Sequence, residues 1–158
     1  MSALAGSEPE KTGAEPEKPG ASPETVQAPA GVVVLDASVL IGHLDNNDPH
    51  HARAVSLLEA TDGQRLGASA ITLAETLVAP ARADRLADAQ AALSRLDVQE
   101  LALGDEASSR LARLRADLGV KLPDCCVLLA AQEHAGAVAS FDTSVIKAAR
   151  KLGLHTLE

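Results

Sequence analysis

The stretch Val32-Val33-Val34-Leu35-Asp36-Ala37-Ser38-Val39-Leu40-Ile41 decides the fold. Three β-branched residues and a leucine in unbroken succession suit a strand buried on both faces, as in parallel sheets covered by helices on either side. The run stops at a carboxylate, Asp36, and Ser38 to Leu44 then predicts a short helix. In open parallel sheets the carboxyl ends of strands are where sites form, so an acid at that junction stands out.

Outward from this opening, strand and helix alternate. Asp45-Asn46-Asn47-Asp48 predicts a turn, and Asp48-Pro49 a cap for a helix through Thr61 with Ala52, Val55, Leu57 and Leu58 inward. Leu66–Ser69 predicts a strand, Ala70–Ala79 a helix stopped by Pro80, and Asp84–Leu96 another helix. Val98–Leu103 alternates like a strand, and a helix from Asp105 to Leu118 ends at Gly119. Pro123 opens a helix through Ala135, with Gly136 after it. Ala137–Phe141 predicts a strand, Ser144–Leu152 a helix and Leu154–Leu157 a last strand. Such alternation over short links predicts an α/β fold: a three-layer α/β/α sandwich around a mostly parallel sheet.

Residues 1–30 stand apart. They hold five of the eight prolines, echo Glu-Pro-Glu-Lys at 8–11 and 15–18, and offer too little apolar surface to offset ordering, so disorder is expected. Residues 31–158 are then one domain, long enough to bury a core. An alternative start codon near Val32 would also explain the abrupt onset; the intact mass of the natively expressed protein distinguishes the two.

Composition removes several classes. Phe141 is the one aromatic residue, with no Trp or Tyr, which excludes modules that stack bases on several rings. The longest apolar run, Cys125 to Ala131, is too short to span a bilayer, and no signal-peptide pattern opens the chain. Adjacent Cys125 and Cys126 give no disulfide framework, and a reducing, cytoplasmic location is expected. Fourteen bases against twenty-two acids give a net −8, to which the extension contributes two lysines and five glutamates. A domain left at −5 repels nucleic acid unless its acids are clustered and neutralised.

Four acids sit where charge is otherwise missing. Asp36 is the only charge between Gly31 and Leu44, Glu75 between Leu66 and Ala81, and Asp142 between His134 and Ile146. Asp124 has Lys121 before it, across Pro123, and no charge after it until Glu133. Burying an unpaired carboxylate costs several kcal/mol or forces protonation, and four converging carboxylates repel one another. A divalent cation with oxygen ligands, Mg²⁺ or Mn²⁺, resolves both. Each acid has a plainer alternative. Asp36 and Asp142 would cap the helices after them, Asp124 would face a helix dipole, and Glu75 would pair with Arg65 or Arg82.

Taken together these segments resemble the PIN-domain ribonucleases, and most of all the toxin subunits of VapBC toxin–antitoxin pairs. The resemblance covers about residues 32–158. It is carried by Val34-Leu35-Asp36-Ala37-Ser38, Asp48-Pro49-His50-His51-Ala52, Ala74-Glu75, Leu122-Pro123-Asp124 with Leu128-Leu129-Ala130-Ala131, and Ser140-Phe141-Asp142. Ser140 replaces the threonine usual there, keeping the hydroxyl, and Cys125-Cys126 replace small or aliphatic residues of a packed helix.

The resemblance implies an endoribonuclease dependent on Mg²⁺ or Mn²⁺, cleaving RNA phosphodiester bonds with metal-activated water. It implies Asp36, Asp124 and Asp142 as metal ligands, and Glu75 on a second metal or a metal-held water. Ser38, Ser140 and Thr143 would orient carboxylates or the scissile phosphate. It further implies an antitoxin partner over apolar grooves, and a homodimer. Arg82, Arg85, Lys147, Arg150 and Lys151 are candidates for phosphate contacts, or plain solvated faces; His43, His50 and His51 lie near the mouth. Arg110, Arg113 and Arg115 form an exposed face. Two other functions compete. A PIN-like domain without catalysis would serve as a binding module. A phospho-accepting receiver domain is also small, acidic and Mg²⁺-binding, but wants paired acids after its first strand, where Leu35-Asp36-Ala37 offers one.

Overall fold

A computed structural model describes residues 31–158; the extension expected to be disordered lies outside the described residues. The chain runs β1 (Val32–Leu35), α1 (Ala37–Leu44), α2 (His51–Ala60), β2 (Arg65–Ser69), α3 (Ala70–Arg82) and α4 (Leu86–Arg95). It continues as β3 (Gln99–Leu101), α5 (Ala107–Leu118), α6 (Leu122–Glu133), β4 (Ala137–Ala139), α7 (Thr143–Lys151) and β5 (Thr156–Leu157). The five strands form one sheet in the order β3-β2-β1-β4-β5, and every neighbouring pair is parallel.

That order dictates the layers. From β1 the chain steps outward to β2 and β3, then returns across the sheet to β4 and β5 on the other side. Crossovers of one hand taken in opposite directions place their helices on opposite faces. Accordingly Val33 and Leu35 of β1 point into a core shared with α1–α4, through Val39, Leu40, Leu58 and Leu93. Val32 and Val34 point into the other, against Leu128, Leu129, Val145 and Ala149 of the α5–α7 layer. The three-layer sandwich is as expected, with a wholly parallel sheet. The same order removes the receiver alternative, since that doubly wound class is ordered 2-1-3-4-5. Among the described residues no helix is long and apolar enough to cross a membrane.

Several local expectations are corrected. Pro80 does not stop its helix: α3 continues to Arg82, with Ala83 N–H donating to Ala79 O and Pro80 O. A proline in the last turn removes one intrahelical bond and leaves those downstream intact. Asp48 does not cap α2. Its Oδ1 accepts from His50 N at 2.7 Å within a turn, and α2 begins at His51, burying Ala54 and Leu58 while Ala52 stays exposed. The helix expected through Ala135 ends at Glu133, Ala135 is left-handed (φ 49°), and the Gly136 N–H bonds back to Ala131 O at 2.9 Å. Gly136 serves close approach instead: a Cβ there would lie 2.5 Å from Val32 O. Gly119 does end α5 with φ 70°, as expected.

Candidate active site

The switch point of the sheet lies between β1 and β4, where connections leave in opposite directions, and crevices open at such points. Asp36 closes β1 there. Its N–H donates to Ala139 O at 2.9 Å, joining the two strand ends. Asp36 is only 6 % exposed, and its carboxylate accepts two short bonds on Oδ2, from Ser38 Oγ and Ser140 Oγ, each at 2.7 Å. Both hydroxyls also accept: Ser38 Oγ from Phe141 N at 3.0 Å, Ser140 Oγ from Asp142 N at 3.0 Å. The supporting roles expected of Ser38 and Ser140 thus have a physical form, a clamp that fixes one oxygen of Asp36 and leaves Oδ1 outside it. Asp36 makes no capping bond to α1, so the plainer alternative fails for it.

For Asp142 that alternative holds: its Oδ1 accepts from Ser144 N at 2.7 Å and caps α7. Thr143 stands exposed in the first turn of α7 and makes none of the clamp's hydrogen bonds. Asp124 sits half-buried in the first turn of α6, its Oδ2 accepting from Lys121 N at 3.3 Å. Glu75 lies in mid-α3 and is exposed, as is Asp142; the burial expected of all four acids applies fully to Asp36 alone. The apolar neighbours of Glu75 along α3 are exposed too, Ile71 at 46 % and Val78 at 44 %. Glu75 pairs with neither Arg65 nor Arg82; the ion pairs among the described residues are Arg110–Glu133 at 2.6 Å and Arg150–Glu158.

The acids nevertheless act on one another. Desolvation, then the charges of Asp36 and Asp124, raise the Glu75 carboxyl above its ordinary range, against the pull of Lys121. Asp124 is raised likewise, by desolvation and by Asp36, with Asp142 adding to it, while the Lys121 N–H and charge oppose. Repulsion therefore links Asp36, Glu75, Asp124 and Asp142, drawn from β1, α3, α6 and the β4–α7 junction.

Two clefts flank this group. One, of about 470 Å³, is lined by Asp124 and Asp142 together with Lys121, Ser144, Lys147 and Lys151. The other, of about 650 Å³, runs between α1, α3 and α4 and contains Glu75, His43, His51, Arg85 and Arg95 above an apolar floor. Of the expected phosphate contacts, Lys147 and Lys151 enter the first cleft and Arg85 the second, while Arg150 is occupied by Glu158 and Arg82 lines neither. His51 Nδ1 bonds Gly42 O at 2.8 Å. Burial, with His51 and Arg95 nearby, lowers the His43 pKa, and its buried Nδ1 has no partner. Cys125 and Cys126 are buried with thiol pKa values pushed up by desolvation, which suits packing and not nucleophilic attack.

Lys121 and Ser144 are site residues that sequence reasoning missed. Lys121 carried a signal, three residues before Asp124, but Pro123 seemed to separate them. In the fold that proline is part of the first turn of α6, which brings Lys121 back against Asp124.

Among the described residues, no three or more His, Cys, Asp or Glu side chains form a ready-made metal-binding group. The donor set nonetheless suits a hard divalent cation. It is all carboxylate oxygen, mutually repelling, with one oxygen of Asp36 outside the serine clamp. Mg²⁺ and its like are commonly held through one or two carboxylates and several waters, without a closed protein cage.

The chain resembles a solved toxin–antitoxin complex from Klebsiella pneumoniae at 26% identity, with a TM-score of 0.60 over 70% of this chain and 87% of that one. VapBC2 from Rickettsia felis, solved bound to a DNA fragment from its promoter, is 16% identical with a TM-score of 0.58 over 80% and 97%. FitAcB from Neisseria gonorrhoeae is 18% identical with a TM-score of 0.60 over 80% and 96%. At those last two identities the likeness speaks for the fold alone. Comparison with curated proteins gives no match. Residues 33–151 match the PIN domain, a span that runs from β1 to the end of α7 and contains all four acids. By that match, over most of its length, the chain belongs to the PIN-domain family.

Proposed function

We propose that this protein is a divalent-metal-dependent endoribonuclease and the toxin half of a toxin–antitoxin pair. The observation that supports this most is the single repelling group of four carboxylates built around the doubly hydrogen-bonded Asp36. Asp36, Asp124 and Asp142 would hold Mg²⁺ or Mn²⁺, with Glu75 on a second ion or its water. When bound, such an ion supplies charge neutralisation, an acidified water and stabilisation of the leaving oxygen.

The chain's own residues do the positioning. Ser38 and Ser140 fix the aim of Asp36, so no reorganisation is needed when the phosphate arrives. Lys121, Lys147 and Lys151 put three ammonium groups in the cleft that contains Asp124 and Asp142. They give RNA phosphates a cationic bed on an otherwise acidic domain. The antitoxin would lie along the 650 Å³ cleft, its apolar side chains on the floor formed by Ile41, Leu44, Ala79 and Ala89. From there a basic side chain reaches Glu75. A homodimer would use other exposed apolar residues, such as Ile71 and Val78 on α3.

Cleavage of end-labelled structured RNAs, transfer RNA among them, tests the reading. Discrete cuts with Mg²⁺ or Mn²⁺ that vanish in EDTA, in Asp36→Ala and in Asp124→Ala are expected. Cuts that persist in both variants, or metal-independent cutting, would contradict it. Binding of RNA without cutting would favour the non-catalytic module.

A further inference from the structure

The chain's single Phe, with no Trp or Tyr beside it, stands next to one of the acids. Phe141 directly precedes Asp142, and its N–H donates at 3.0 Å to Ser38 Oγ, the hydroxyl that clamps Asp36. The backbone of Phe141 is thereby tied to the clamp, while its ring is half-buried against the α1–α4 layer. Two exposed side chains at the start of α2 gather on it. The Arg53 guanidinium lies 4.6 Å from the ring centroid, and the His50 imidazole stands with its centroid 5.2 Å away at 33°. Arg53 is in no ion pair among the described residues, so no carboxylate holds it there. Three flat, π-bearing or planar cationic groups thus form one cluster, joined to the acids through the Phe141 backbone and lining neither of the two clefts.

A cation–π contact alone would account for a modest gain in α2 stability. It does not account for an exposed arginine and an exposed histidine both gathered on the chain's single Phe, the residue next to Asp142. Planar guanidinium and aromatic faces are what unstacked RNA bases lie on. We propose that Phe141, Arg53 and His50 form a nucleobase subsite, which holds the base of a nucleotide adjoining the scissile phosphate. Successive Cα atoms are about 3.8 Å apart, so a ring one residue from Asp142 is within a nucleotide's reach of it. The proposal rests on the ribonuclease reading and adds to it a source of cleavage-site preference.

An abasic scan tests it. A single-stranded RNA cut by the wild type is remade with one base at a time replaced by abasic ribose, and KM and kcat are measured for each. One position next to the cut should show a KM raised about 5- to 50-fold with kcat little changed. Arg53→Lys, which keeps the charge and loses the plane, should raise KM for intact RNA by a similar factor and add nothing on the RNA abasic at that position. Phe141→Leu, which keeps apolar packing, should do the same, with folding checked by thermal melting. KM unchanged in Arg53→Lys, or raised equally on every abasic RNA, would overturn the subsite while leaving the nuclease standing. An absence of cleavage by the wild type would overturn the nuclease reading and this inference with it.

Discussion

Asp36 and Glu75 show how one chemical group, the carboxylate, is put to two uses. Asp36 is buried and held by two hydroxyls, whereas Glu75 is exposed and feels the site through charge. The Glu75 carboxyl is raised above its unfolded value, so its contribution to stability is favourable below about pH 4, where it is protonated in both states. That contribution is lost as pH rises through the folded pKa. In metal-free protein Glu75→Gln should therefore melt about 1–3 °C higher than wild type at pH 7, a small shift because solvent screens the group, with the difference closing near pH 4. Thermal melting at the two pH values in EDTA checks this, and an equal difference at both would contradict it. All four acids were legible as charges in uncharged stretches, but the reason given, burial, fits only Asp36. Glu75 lies among the exposed apolar side chains of Ile71 and Val78, and sequence cannot distinguish an apolar face covered by the domain from one left open.

At the scale of elements, the end of α6 sets the position of β4 and so of Ser140 and Asp142. There Ala135 takes a left-handed conformation that disfavours a Cβ, while Gly136 lets the chain pass against the Val32 carbonyl. Two neighbouring substitutions should then act in opposite directions. Ala135→Gly relieves the strain and should stabilise by up to about 1 kcal/mol. Gly136→Ala pushes a methyl into a backbone oxygen and should destabilise by about 1–3 kcal/mol. Urea unfolding of both variants checks the pair; the same sign for both would contradict it. Helices and strands were legible in order and type, because the apolar periodicities change cleanly between segments. Their ends were less so. Pro80 and the Ala135-Gly136 pair each admit a second geometry, and neighbouring carbonyls, out of sight in a sequence, decide between them.

Across the whole molecule, charge is sorted. A domain of net negative charge gathers four acids at one switch point and sets three lysines in the cleft beside them. If those lysines hold phosphates, Lys121→Gln, Lys147→Gln and Lys151→Gln combined should make the salt dependence of RNA binding shallower by about 2 in log–log slope. Arg113→Gln on the exposed face of α5 should leave it unchanged; equal effects from the two would contradict a local phosphate bed. The cleft itself was only half legible, since Lys147 and Lys151 are four apart on one helix, whereas Lys121 joins them only when α6 folds back on α7.

The central claim is that the acids form one cation site built on Asp36. Calorimetric titration of Mn²⁺ into the metal-free protein at pH 7 tests it most directly, because it needs neither RNA nor a partner. Asp36→Asn and Asp124→Asn should each weaken binding by at least about 10-fold, and Ser140→Ala, which only loosens the aim of Asp36, by about 10-fold. Arg113→Gln should bind as the wild type does. Undiminished Mn²⁺ affinity in both Asp36→Asn and Asp124→Asn would contradict the account.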